Sequence, residues 1–143
     1  MMDAAVVDAS VAIKWVVEEL GSDLARDLSH CRLEAPDLFP IECASILWKK
    51  VRLGDLTRRA ATDCLRNLLL APVAIFPSQD LLTEAAEIAF DLQHPVYDCL
   101  YLALARQRGI PLVTADARLV RTARQSRKWA ARVALLSNIG PPG

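Results

Sequence analysis

Apolar residues gather in five short, continuous runs, and between these runs they recur three and four positions apart. The runs at residues 4–8, 33–36, 73–76, 111–114 and 133–136 predict strands, bounded by Gly, Pro, Asp and Ser. The intervening stretches predict helices. One runs from Val11 to about Glu18, with Ser10 as its cap and Gly21 as its break, and a second from Ser22 to about Cys31, with Leu24 and Leu28 on one face. A longer helix from Asp37 carries Ile41, Ala44, Ile46, Leu47, Trp48 and Val51 and stops at Gly54, and Thr57 caps another to about Leu70. Ser78 opens a helix through Leu82, Ala85, Ala86, Ala89 and Leu92. The helix from Pro95 to Gly109 is apolar on several sides and is expected to be buried, and a short helix follows from Asp116 to Gln125.

Strands that are apolar throughout, alternating with helices, indicate a parallel sheet covered on both faces. The expected fold is therefore α/β, a three-layer α/β/α arrangement around a central parallel sheet of four to five strands. No repeat, low-complexity stretch or linker interrupts it, so residues 1–137 read as a single domain and residues 138–143 as a flexible tail.

Composition adjusts this picture in three places. The apolar fraction of 53% exceeds the ~45–50% of ordinary globular chains, which calls for a large core or an apolar surface that meets a partner. No apolar run approaches the ~18 residues of a membrane span, and Met1-Met2-Asp3 leads into the first strand without a basic leader, so a cytoplasmic location is expected. Cys31, Cys43, Cys64 and Cys99 lack any C-x-x-C pairing and read as buried free thiols, while His30 and His94 read as ordinary surface residues rather than ligands. Net charge is zero, yet residues 106–132 carry eight basic side chains and one acid. Such a segment is either a solvated face or a nucleic-acid surface.

Four acids stand out against that background. Asp8 and Asp116 end apolar strands, Asp98 lies in the first turn of the buried helix, and Glu42 follows Pro40 in another helix. Each has a local explanation, since an acid in a first helical turn stabilises the helix dipole by roughly 0.3–1 kcal/mol. Together they ask for more. Asp98 and Glu42 sit in apolar surroundings, and no Lys or Arg lies within four positions of either. Ligands of open α/β sheets bind outside the carboxyl ends of the strands, where Asp8 and Asp116 stand. Two carboxylates ~4 Å apart repel by about 4 kcal/mol at an effective dielectric of ~20, which a divalent cation relieves. An all-oxygen donor set favours Mg²⁺ or Mn²⁺ over zinc, with the hydroxyls of Ser10 and Thr114 orienting ligands or waters from behind.

The motifs Val6-Val7-Asp8-Ala9-Ser10-Val11, Glu42 after Pro40, Tyr97-Asp98-Cys99-Leu100-Tyr101-Leu102-Ala103 and Leu112-Val113-Thr114-Ala115-Asp116 occur in an order that resembles the PIN domain, in particular the VapC-type toxin ribonucleases of bacterial toxin–antitoxin pairs. The resemblance implies a Mg²⁺- or Mn²⁺-dependent endoribonuclease with Asp8, Glu42, Asp98 and Asp116 as catalytic metal-binding acids and Ser10 and Thr114 in support. It also implies a homodimer and a cognate antitoxin whose C-terminal segment lies near the active site. It does not extend to a further acid after the last motif, where Arg118, Leu119 and Val120 follow Asp116.

Arg118, Arg121, Arg124 and Lys128 are spaced to share one helix face beside Asp116 and to hold RNA phosphates. Trp48 is assigned to a groove for an antitoxin helix or a dimer mate, and Trp129 to either base stacking or the core. Rival readings are a catalytically inactive PIN-fold binding module, a phosphoacceptor domain and a haloacid-type phosphatase. The phosphoacceptor lacks its late-strand Lys, and the phosphatase lacks a second Asp at position 10. A nucleotide hydrolase would need a Gly-rich phosphate loop, and the chain has only five glycines, none so arranged.

Overall fold

A computed structural model of the chain describes residues 2–139. Five strands form its centre: β1 (Ala4–Val7), β2 (Arg32–Pro36), β3 (Val73–Phe76), β4 (Leu112–Thr114) and β5 (Val133–Leu135). Helices α1 (Ala9–Val16) and α2 (Ser22–Leu28) follow β1, α3 (Phe39–Arg52) and α4 (Arg58–Leu70) follow β2, and α5 (Leu82–Leu92) and α6 (Val96–Arg108) follow β3. The α7 helix (Ala117–Arg124) and a short α8 (Arg127–Ala130) separate β4 from β5.

Every strand pairing is parallel, with Ala5 opposite Leu33, Val6 opposite Leu112, Glu34 opposite Ala74 and Val113 opposite Ala134. The order is β3-β2-β1-β4-β5. The chain thus winds outward from β1 in one direction, then returns to its other side for β4 and β5. The resulting switch point lies between β1 and β4, where open parallel sheets form a crevice at their carboxyl ends.

The four residues of β1 are all buried, as a strand covered on both faces requires. The edge strand β3 departs from the expected pattern, because Ala74 and Ile75 are exposed. Helix α6 is buried on every side from Cys99 to Ala105 and packs on α5, β1 and β2. Pro40 sits in the first turn of α3, where a missing N–H costs no helical bond.

Two further expectations are corrected. Asp8, not Ser10, is the N-cap of α1, and its carboxylate accepts the Val11 N–H at 3.3 Å. The segment from Ser78 begins as a 3₁₀ turn (Ser78–Leu81) before α5. Of the predicted tail, Asn138 closes a second 3₁₀ turn (Leu136–Asn138), and the stretch beyond Ile139 lies outside the described residues.

The run at 33–36 is not apolar throughout as expected, because Glu34 is a buried charge inside β2. The Arg108 guanidinium answers it with two bonds, Nε to Oε1 at 2.7 Å and a second nitrogen to Oε2 at 3.2 Å, and stacks over the Phe76 ring. Cys43 and Cys99 are buried, and burial pushes both thiols up to about 12, so they stay protonated. Cys31 and Cys64 are only partly buried, contrary to expectation. Among the described residues, no helix is long and apolar enough to cross a membrane.

Candidate active site

Asp8 follows the last residue of β1, and Asp116 stands two residues beyond β4, so both lie at the switch-point crevice. Each is also the N-cap of the helix it precedes. Asp116 accepts the Arg118 N–H at 2.9 Å and the Leu119 N–H at 3.4 Å with one oxygen.

Two hydroxyl relays converge on Asp8. The Ser10 hydroxyl accepts the Ala115 N–H at 3.0 Å and donates to Asp8 Oδ1 at 2.5 Å. The Thr114 hydroxyl accepts the Asp116 N–H at 3.0 Å and donates to Asp8 Oδ2. Backbone amides of the β4–α7 turn thus occupy acceptor positions on both hydroxyl oxygens, and both protons point at the carboxylate. The arrangement fixes Asp8 from both sides. Its pKa is nevertheless raised to about 6, mainly because it is buried, with the charge of Asp98 adding to the effect against the two hydroxyl bonds.

Glu42 enters from the first turn of α3, and the buried Tyr101 of α6 donates its hydroxyl to Oε1 at 2.5 Å. Burial and the neighbouring Glu42 carboxylate push the Tyr101 phenol up, which keeps it a donor. The Glu42 pKa is also raised, first by burial and then by Asp98. Asp98 lies in the first turn of α6 and meets His94, whose Nε2 is 2.6 Å from Oδ2.

His94 departs from the surface position expected of both histidines. His30 is exposed, but the His94 side chain is 4% exposed. The spacing carries a signal, because His94 precedes Asp98 by four positions. Tyr101, which lies within the same motif as Asp98, carries no sign of its contact with Glu42, 59 residues away.

The electrostatics of this group are unusual. Among the described residues, none of the four acids pairs with Lys or Arg. Asp98 raises the pKa of both Asp8 and Glu42, so these charges sense one another. Among the described residues, Glu42, Asp98 and Asp116 each have one oxygen bonded to the protein and the other without a protein partner, whereas both Asp8 oxygens are bonded. Also among the described residues, no three such side chains form a ready-made ligand cage. Free carboxylate oxygens and the mutual repulsion of Asp8, Glu42 and Asp98 suit a hard cation that keeps several of its waters. The all-oxygen donor chemistry is that of a hard divalent cation.

Arg118, Arg121 and Arg124 are exposed along α7 and make no ion pair among the described residues. Lys128 does not continue their face. Helix α7 ends at Arg124, and Lys128 lies on α8 with its ammonium over the Trp129 ring. Trp129 is buried core, which leaves no ring for base stacking. Trp48 is 61% exposed with the Arg52 guanidinium over its ring, and Ile41, also on α3, is exposed as well.

Comparisons with known proteins agree with this architecture. A family model described as the PIN domain matches residues 5–125. A Pyrobaculum aerophilum protein named Ribonuclease VapC3 is 34% identical over 118 residues, covering 80% of this chain and 90% of that protein. Ribonuclease VapC12 of Mycobacterium tuberculosis is 29% identical over 118 residues, covering 82% and 90%. The crystal structure of PAE2754 from Pyrobaculum aerophilum superposes with a TM-score of 0.65 at 28% identity, covering 83% of this chain and 78% of that one.

Proposed function

The chain belongs to the PIN-domain family, and from that premise we propose that it is an endoribonuclease dependent on Mg²⁺ or Mn²⁺ and the toxin of a toxin–antitoxin pair. The observation that supports this reading is Asp8 and Asp116 at the β1/β4 switch point, with Asp98 near enough to raise the pKa of Asp8 and of Glu42, and none of the four paired with Lys or Arg among the described residues. Asp8, Glu42, Asp98 and Asp116 would hold the cation, directly or through its waters. When bound, a divalent cation supplies Lewis acidity and positive charge against the phosphate.

The chain's own residues have distinguishable tasks in this scheme. Ser10 and Thr114 keep Asp8 from turning. Tyr101 holds Glu42 by Oε1 and leaves Oε2 free. Among the described residues Glu42 Oε2 has no protein partner, which leaves it able to accept a hydrogen bond from the attacking water and orient it. The α7 arginines hold the RNA backbone beside the acids, where substrate phosphates would otherwise be repelled.

The test is cleavage of single-stranded RNA with Mg²⁺. Cleavage is expected to stop on addition of EDTA and to resume with excess Mn²⁺. Cleavage that persists without any divalent ion overturns the metal-dependent reading, and RNA binding without cleavage under all ions points to a non-catalytic binding module. For the basic surface, an Arg121→Glu, Arg124→Glu protein should bind RNA more weakly. The slope of log affinity against log salt should fall by about 0.7 for each phosphate no longer neutralised, as for single strands. An unchanged slope removes α7 from the RNA surface.

The exposed apolar side chains of Trp48 and Ile41 on α3 support a protein partner of the same reading, a cognate antitoxin or a second copy in a homodimer. A cytoplasmic location is part of the same proposal.

A further inference from the structure

Asp98 stands in the first turn of α6 yet caps nothing, and no side chain caps that helix. Its hydrogen bond goes backwards, to the imidazole of His94 in the turn that joins α5 to α6. The backbone of that turn is closely constrained. Gln93 adopts a left-handed conformation at φ +52, which a residue with a β-carbon adopts only when its surroundings impose it. The His94 N–H then reaches back to the Ala89 carbonyl at 3.2 Å, closing α5 in the manner of a Schellman turn. The Cys99 thiol lies 3.9 Å from the His94 carbonyl, and Pro95 fixes the exit. The ring is thereby buried and aimed at one carboxylate oxygen.

We propose that His94 is a positioning residue for Asp98, an inference that rests on the reading of Asp98 as a cation ligand. With Nε2 2.6 Å from Asp98 Oδ2, that nitrogen is engaged with the carboxylate and not with a metal, so His94 stands behind Asp98 and outside the donor set. By occupying Oδ2 it stops the carboxylate turning about its own bond and leaves Oδ1 for the ion. Groups that orient a ligand in this way govern metal affinity without touching the metal.

Three substitutions separate this role from simple packing. His94→Phe keeps the ring and removes the donor. His94→Gln brings an amide N–H close to the position of Nε2, and His94→Asn is too short to do so. Titration calorimetry with Mn²⁺ alone, thermal melting and RNA cleavage are measured on the intact chain. The Phe protein is expected to bind Mn²⁺ ~10–100-fold more weakly, with cleavage partly recovered at saturating ion. Gln should restore most of the affinity and Asn little. Wild-type Mn²⁺ affinity in a folded His94→Phe protein overturns the assignment. If that protein does not fold, equal affinity of the Gln and Asn proteins overturns it instead. Asp98→Asn provides the reference: unchanged Mn²⁺ affinity there sinks the reading of the site itself, whereas loss there without loss at His94→Phe sinks only the role of His94.

Discussion

An Asp8→Asn protein is expected to cleave RNA on the order of a thousandfold more slowly and yet to melt higher than wild type near neutral pH without divalent ions. The two effects share one cause. Asp8 is buried with its pKa raised to about 6, so near neutrality the fold carries a charge it would be more stable without. A shift from 3.8 to about 6 corresponds to about 3 kcal/mol, an upper bound on the gain from neutralising the group. Asparagine keeps the shape but replaces one acceptor oxygen with a donor. The hydroxyls accommodate that reversal, because Ser10 Oγ and Thr114 Oγ1 lie 3.3 Å apart and one can donate to the other instead. Calorimetric melting in EDTA together with a cleavage assay checks both halves. An Asn protein that melts below wild type would show that Asp8 is a structural anchor rather than a strained ligand.

Added Mn²⁺ is expected to raise the melting temperature strongly near neutral pH and weakly near pH ~4, below the folded-state pKa of Asp8. The folded pKa is raised, so the stability that Asp8 contributes is fully present below 3.8 and is lost as pH climbs through about 6. Glu42 is raised as well and acts in the same direction. Glu19 and Glu84, lowered by Lys14 and Lys50 and by Arg106 respectively, act oppositely and lose their contribution as pH falls. The difference between wild type and Asp8→Asn isolates the site from that background. The ion competes with the proton for Asp8 and Glu42, so its stabilisation grows across the window in which they ionise. Equal Mn²⁺-induced shifts at both ends of the range would place the ion elsewhere on the molecule.

How much of this site is legible in the sequence follows from the reach of local rules. Asp8 and Asp116 are legible because apolar runs mark parallel strands and the carboxyl ends of such strands are where ligands bind. Ser10 and Thr114 are legible by their two-residue spacing from those acids. Their convergence on one carboxylate is not, since Ser10 and Thr114 are 104 positions apart and meet only when β4 pairs with β1. Tyr101 is hidden for the same reason. His94 escapes for another, because a histidine four positions from an acid is easily set aside as uncharged although its N–H is a donor in any state. The basic stripe misleads in the opposite way. Its spacing continues through Gln125 and Ser126, but the backbone turns there and places Lys128 on a separate helix.

The sheet order has a consequence in time as well as in space. Strand β1 lies at the centre, and its neighbour β4 does not exist until residues 112–114, more than a hundred positions further on, have been synthesised. A nascent chain, or one cut short by a broken message, therefore holds its central strand open along one apolar edge and has yet to acquire Asp116. Such a product lacks one acid of the proposed site and exposes an apolar strand edge to aggregation or proteolysis.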